Sequence, residues 1–367
     1  MRGNLFLLIL MGQCSFVLCR LYEYNFIDTE TTREEAQKYC RDNYSDLASV
    51  FDQSDVERLK VRGNEFTDEA WIGLHSIAGK EERMWHWSLP GVEFNETKWL
   101  NGEPNDKGTG GRLENCVVMD APDEWKDFPC AELQQFVCYD ETQLPNKTFH
   151  FIDYKLTWLD AQSYCRENYT DLISGVAQLE EKELIHKRKP RSNIWIGLFR
   201  DNWRWSDGNN FSFRNWESFN DTSGTLTNKC ATVKETGKWG SDTCDKRKKF
   251  FCYDDKVILI KENKTWEEAL YYCRDNYNDL VSITNPHQQR WVQERAKKAS
   301  TPFVWLGLRY SCFLDFWFWC SCEVVNYKNW ASDESNDCDM SGAMDTGGEH
   351  QWVKKQDNEM FNFICSK

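Results

Sequence analysis

Cysteine is the most chemically capable residue in this chain, and its spacing is patterned. Sixteen cysteines fall in 367 residues, a density that means metal or redox work in a reducing compartment and disulfides in an oxidising one. Cys40, Cys165 and Cys273 sit in copies of one phrase, Tyr-Cys-Arg-X-Asn-Tyr-X-Asp-Leu, 125 and 108 residues apart. That period exceeds the roughly 20–50 residues of a solenoid unit and marks a repeat of whole domains. Lys187-Arg188-Lys189-Pro190-Arg191 and Lys246-Arg247-Lys248-Lys249 are dense basic runs in an acidic chain. Such runs read as solvated loop surface, as a protease processing site, or as a patch for a polyanion such as a sulfated glycan or acidic protein. Nothing points to catalysis: the six histidines stand in no Gly-X-Ser-X-Gly or phosphate-cradling context, and His75 and His86, flanking strands, read as structural. The net charge of −14 argues against nucleic acid as a partner.

The repeated phrase predicts an amphipathic helix running into a short strand. Thr32 with Glu35, and Thr265 with Glu268, form capping boxes; Thr157 with Asp160 is a weaker version. Ala36, Tyr39 and Cys40 share one face at i, i+3, i+4. Tyr22, Tyr24 and Phe26 alternate as a strand. Ser54 is expected to cap a second helix to about Val61. Ala70-Trp71-Ile72-Gly73-Leu74 is a buried strand, Trp85-His86-Trp87-Ser88 follows, and a polar loop rich in Gly, Asn and Asp runs from Asn95 to Gly111. Cys116 to Met119 is a further strand.

Compartment decides what the cysteines do. Arg2 followed by the apolar stretch Leu5 to Met11 and Phe16-Val17-Leu18 predicts a signal peptide over residues 1–19, since the apolar part is well short of the ~20 residues of a spanning helix. The expectation is a secreted, extracellular chain without membrane insertion, which keeps 14 of its 16 cysteines. Asn43, Asn95, Asn146, Asn168, Asn210, Asn220 and Asn263 each head an Asn-X-Ser/Thr glycosylation signal.

The Trp-Ile-Gly-Leu strand, the Trp-X-Trp-Ser turn, Glu103-Pro104-Asn105, the Trp-X-Asp-X-X-Cys segment and the final Phe-X-Cys, in that order, resemble the C-type lectin-like domain family. The resemblance covers the mature chain in three copies, similar to part of the macrophage mannose receptor ectodomain. It implies an α+β fold: three tandem disulfide-stabilised domains over 20–140, 146–253 and 256–367, each with two helices and small antiparallel sheets around a long loop. It also implies nested bridges Cys40–Cys138 and Cys116–Cys130, then Cys165–Cys252 and Cys230–Cys244, then Cys273–Cys365. Cys312, Cys320, Cys322 and Cys338 allow three pairings, among which sequence does not choose. A four-thiolate zinc site is the minor alternative.

The same resemblance implies a calcium and sugar site. Calcium takes 6–8 oxygens, and the family draws them from Glu-Pro-Asn, with the proline cis, from a Glu before the third cysteine, and from Trp-Asn-Asp. The first copy supplies Glu103, Asn105, Glu114 and Asp127, and has Lys126 in the remaining ligand position, which offers no oxygen. Lys126 is therefore expected to act as a tethered counter-ion at the calcium position. Calcium is expected in the first domain only. The second copy has Asn220-Asp221-Thr222, Asn228 and Trp239-Gly240-Ser241 in the corresponding places. The third keeps Glu334-Ser335-Asn336 but has Trp352-Val353-Lys354. The implied function is non-enzymatic carbohydrate recognition of a glycan or glycoprotein, with weak calcium-dependent mannose-type binding in the first domain. The alternative is calcium-independent protein–protein recognition by decayed sites.

Overall fold

The structure is a computed structural model, and it describes residues 21–62, 69–120, 124–141, 147–181, 184, 193–218, 228–313, 315–321, 325–331 and 338–367. The three phrase copies form helices Arg33–Asn43, Trp158–Asn168 and Trp266–Asn276, each behind a threonine N-cap. Thr32 and Thr265 make reciprocal capping boxes. At Thr157 the hydroxyl accepts from the Asp160 N–H at 3.3 Å and donates to its carboxylate at 2.5 Å, because the shorter Asp side chain does not reach back to the cap N–H. Each helix stops at a tyrosine (Tyr44, Tyr169, Tyr277) whose N–H returns to the cysteine carbonyl four residues earlier. Ala36 and Cys40 are fully buried, but Tyr39 is 43% exposed and meets the Phe250 ring edge-on. The helix Gln53–Arg62 is capped by Asp52, not Ser54: the Asp52 carboxylate accepts from the N–H groups of Ser54 and Asp55 at 2.8 and 3.3 Å.

The first repeat supplies strands β1 (Tyr22–Thr31), β2 (Asp46–Leu47), β3 (Ala70–Ser76), β4 (Met84–Trp87), β5 (Cys116–Asp120), β6 (Glu124–Phe128) and β7 (Gln134–Asp140). The second supplies β8 (Thr148–Leu156), β9 (Asp171–Leu172), β10 (Ile194–Asp201), β11 (Trp203–Trp205), β12 (Lys229–Val233), β13 (Trp239–Thr243) and β14 (Lys248–Asp255). The third supplies β15 (Val257–Lys264), β16 (Asp279–Leu280), β17 (Phe303–Ser311), β18 (Phe316–Trp319), β19 (Met340–Asp345), β20 (Trp352–Gln356) and β21 (Phe361–Ser366).

The third repeat closes on itself, in the order β15-β21-β17-β19-β20, with β16 on β21 and β18 on β17. The other two sheets follow the same plan with halves exchanged. One runs β1-β14-β3-β12-β13, with β11 on β3 and β2 on β14; the other runs β6-β5-β10-β7-β8, with β4 on β10 and β9 on β7. The N-terminal half of each of the first two repeats is thus completed by the C-terminal half of the other. Arg200 pairs with Trp85 and Leu198 with Trp87, while Ser76 pairs with Trp203 and Leu74 with Trp205. The two crossing segments touch: the Ile77 N–H donates to the Asn202 carbonyl at 2.9 Å, and the Asn202 side-chain amide donates to the Ile77 carbonyl.

The exchange corrects two disulfides. Cys40 bonds Cys252 and Cys138 bonds Cys165, not Cys40–Cys138 and Cys165–Cys252, because the closing strand beside each helix comes from the other repeat. Cys116–Cys130, Cys230–Cys244 and Cys273–Cys365 are paired as the resemblance implies. In the third repeat Cys312 bonds Cys338, which removes two thiolates from any zinc site. Cys320 is a free thiol packed on the core around Cys273 and Cys365, its pKa pushed up to about 12 by burial. Cys322 lies outside the described residues, as do the 1–19 leader, Asn146, Asn220, the run 187–191 and the 334–336 triplet.

One feature of the core positions the long loop. Each sheet packs the same tryptophan trio edge-to-face: Trp87 and Trp99 on Trp125, Trp205 and Trp216 on Trp239, Trp319 and Trp330 on Trp352, with centroids 5.3–5.7 Å apart. Such contacts add about 0.5–1.5 kcal/mol each beyond burial.

Candidate functional site

The loop after Trp99 is tied to β6 at its start. The Trp125 N–H donates to the Lys98 carbonyl at 2.8 Å, and the Leu100 N–H to the Trp125 carbonyl at 2.9 Å. The Glu103–Pro104 peptide is cis. The returning loop lies over Asp127, which is 2% exposed. One Asp127 oxygen accepts from the Asn105 N–H at 3.0 Å and the other from the Asp106 N–H at 2.9 Å. The Asn105 N–H also reaches Glu103 at 3.1 Å. The Lys107 N–H donates to Asn105 Oδ1 and to Glu114 Oε2, both at 2.8 Å. Glu103, Asn105, Glu114 and Asp127, the set that the resemblance implies, therefore lie round one loop.

Crowding shows in the protonation of the two glutamates. Burial first, and the neighbouring Asp127 next, push Glu103 up to about 7. Burial and Asp127 also raise Glu114 above the usual carboxylate range. A cation at this point would relieve both. The donors are all oxygens, with no thiol or imidazole, which suits a hard ion such as calcium.

Two residues that sequence reasoning did not single out complete the cluster. Arg200 Nη2 lies 2.6 Å from Asp127 Oδ2 and 3.2 Å from Asp106 Oδ1, donates to the Glu114 carbonyl through Nε at 3.0 Å and Nη2 at 2.8 Å, and stacks 4.6 Å above the Trp85 ring. Asp106, in a left-handed turn with φ 52°, pairs with Lys80 and with Arg83, the latter at 2.6 Å, and accepts from the Glu114 N–H at 2.9 Å. Burial opposes its ionisation, but hydrogen bonds from Arg83 and Lys80 hold it well below the usual range. Asp106 directly follows the triplet and could have been read as part of it. Arg200 belongs to the other repeat and carried no signal.

Lys126 is not the counter-ion. It pairs with Asp120 at the turn end of the β5–β6 hairpin, because neighbouring residues of a strand face opposite ways and Asp127 faces the loop.

The corresponding positions elsewhere carry little. In the β12–β13 hairpin, Asn228 and Trp239-Gly240-Ser241 offer no carboxylate. In β20, Lys354 stands two residues after Trp352, as Asp127 stands after Trp125, and lies 5.8 Å from the Trp330 ring centre. His86 is largely covered, its side chain 12% exposed, and desolvation lowers its pKa to about 4; burial and the Arg33 guanidinium also lower His75. Both are neutral structural residues near pH 7.

Every cation of the run 246–249 has a carboxylate partner: Lys246 and Lys248 on Asp242, Arg247 near Glu35, Lys249 on Asp28. Pairing of this kind cancels the field a polyanion would need. The variant Lys246→Gln with Arg247→Gln is therefore expected to elute from heparin at the same salt concentration as wild type. Earlier elution would show that this run binds polyanions despite its pairs. Among the described glycosylation signals, Asn43, Asn95, Asn168, Asn210 and Asn263 are all exposed.

The family model described as "Lectin C-type domain" matches residues 29–140, 154–254 and 262–367. C-type mannose receptor 2 of Mus musculus is 23% identical over 88% of this chain and 26% of its own length. Human secretory phospholipase A2 receptor is 22% identical over 82% and 24%, and human lymphocyte antigen 75 is 24% identical over 89% and 22%. The chain thus spans about a quarter of the curated relatives it matches. Among solved structures, the cow CD23 carbohydrate-recognition domain is 24% identical, with a TM-score of 0.28 over 31% of this chain and 90% of that one. With matches to the family model over most of its length, in three successive copies, the chain belongs to the C-type lectin domain family.

Proposed function

We propose that this is a secreted, non-enzymatic recognition protein that binds a glycan or glycoprotein at one site, the Glu103–Asn105–Glu114–Asp127 cluster. Binding there is weak and calcium-dependent, and it selects mannose-type sugars: mannose, fucose or N-acetylglucosamine. The observation that carries this reading is that Glu103, Asn105, Glu114 and Asp127 are linked round one loop through its backbone N–H groups, with two of the carboxylates raised. Calcium, when bound, would offer coordination positions to vicinal sugar hydroxyls. The protein's own part is to hold the oxygens: the tryptophan trio fixes the loop base, and Asp127 fixes its tip through the N–H groups of Asn105 and Asp106. Secretion rests on the leader expected over residues 1–19. Among the described residues no helix is long and apolar enough to cross a membrane.

A glycan array run on the whole chain, with calcium and with chelator, tests the reading. Mannose-type signals are expected with calcium and should disappear with chelator or with Asp127→Asn. Silence under both conditions would overturn it. The second reading, calcium-independent protein recognition, is favoured by Phe313 and Phe316, which are 90% and 45% exposed on the third repeat. Protein contacts are expected to bury aromatic side chains of this kind.

A further inference from the structure

We propose that Arg200 is the resident cation of the candidate sugar site, delivered by the other repeat, and that calcium must displace it. This deepens the calcium-linked reading above and rests on it. The guanidinium is only 10% exposed and lies 2.6 Å from the buried Asp127 carboxylate. Its Nε and Nη2 both point at the Glu114 carbonyl. The fork is fixed from a third side by the Trp85 ring and along the backbone by the Arg200 N–H donating to the Asn115 carbonyl at 2.8 Å. A planar, always charged group pinned on these sides is preorganised for a carboxylate and costs little entropy to keep there.

The charge reaches the site only because the halves are exchanged. In each sheet one residue faces the first tryptophan of the Trp-X-Trp strand. It is Arg200 opposite Trp85, Ser76 opposite Trp203 and Tyr310 opposite Trp317. Were the first repeat closed on its own β3, the uncharged Ser76 would hold this position beside Glu114 and Asp127. The exchange therefore converts a cluster of carboxylates that needs an external cation into one that carries its own. The loop from Glu103 to Lys107 then stays folded on Asp127 without a bound ion, and calcium has to compete with a tethered guanidinium for the same oxygen.

The test is calcium titration by calorimetry of the whole chain, with melting curves in calcium and in chelator, for wild type, Arg200→Ser and Arg200→Lys. Wild type should bind calcium weakly and gain little melting temperature from it. R200S should bind about tenfold or more tightly, since a unit positive charge a few ångströms from the ion is removed, and calcium should raise its melting temperature by mass action. In chelator R200S should melt below wild type, because Asp127 is left buried without its countercharge. R200K keeps the charge but loses the fork, so it should fall measurably between the two, and it carries the test if R200S fails to fold. Equal calcium affinity in all three overturns the role of Arg200 and leaves the calcium-linked reading intact. No calcium binding in any variant overturns both.

Discussion

Peptide mapping of the non-reduced chain is expected to return Cys40 joined to Cys252 and Cys138 joined to Cys165. The outcome is all-or-none, since the alternative set, Cys40–Cys138 with Cys165–Cys252, shares no peptide pair with it. Chain entropy does not decide between them. The exchanged bridges span separations of 212 and 27 residues, worth about 5 and about 4 kcal/mol, against about 5 for each bridge of the alternative. The packing does not decide either, because the tryptophan trio and the helix cysteine recur in every copy. The difference lies in the connections. Between Arg200 and Trp203 stand only Asp201 and Asn202, which in an unexchanged repeat would have to make a two-residue hairpin. In the third repeat the same pairing, Tyr310 with Trp317, is reached through six residues. A short connection favours the straight crossing over the tight reversal, which is how brief hinges promote exchange of elements. Inserting four Gly/Ser residues after Asp201 is accordingly expected to shift the map toward Cys40–Cys138. If the wild-type map already shows that bridge, the exchange is absent and Ser76, not Arg200, faces Asp127.

This is also where sequence stops being informative. The helices were legible because Thr-X-X-Glu and the tyrosine stop act within a few residues. The loop cluster was legible through the resemblance, whose Glu-Pro-Asn, Glu and Trp-X-Asp motifs name Glu103, Asn105, Glu114 and Asp127, and these four lie on one hairpin and its loop. Which β-strand closes on which helix is a long-range choice between near-identical partners. A repeat makes that choice degenerate at the level of pattern: Cys138 and Cys252 end strands of the same kind, and nothing near Cys40 prefers one. Lys126 failed for a different reason. Its position in the motif is a statement about spacing, whereas its direction is set by the strand's alternation, and the residue that does face Asp127 sits 73 positions away.

Replacing Arg214 by methionine should be among the most damaging single changes in residues 24–253. Arg214 and Asp201 are 2% and 3% exposed, and they meet through Nε–Oδ2 at 2.7 Å and Nη2–Oδ1 at 3.2 Å. Arg214 also donates to the carbonyls of Phe211 at 2.8 Å, Phe213 at 3.0 Å and Trp203 at 3.3 Å. Asp201 ends β10 in one exchanged sheet, while Arg214 precedes the Trp216 loop of the other, so the pair fastens the two together beside the crossing. Methionine refills much of the stem volume but leaves a buried carboxylate with no countercharge, which costs about 3–5 kcal/mol. For a unit of this size that is a fall of about 10 °C in melting temperature. The double change Arg214→Met with Asp201→Asn removes the orphaned charge as well and should recover a large part of the loss. Acidity gives an independent check through His86, whose Nε2 is 3.8 Å from Asp201. Burial chiefly, aided by Arg214 and Arg204 and opposed by Asp201, lowers its pKa to about 4. The unfolded chain therefore binds more protons than the native one between about pH 6.5 and 4, and His86 subtracts stability as pH falls through that window. Without Arg214 the His86 pKa rises and the subtraction shrinks, so the deficit of R214M should narrow from pH 7.5 to pH 5. A deficit that stays constant across that range would show that the loss comes from the hydrogen bonds to the Phe211, Phe213 and Trp203 carbonyls rather than from the uncompensated charge of Asp201.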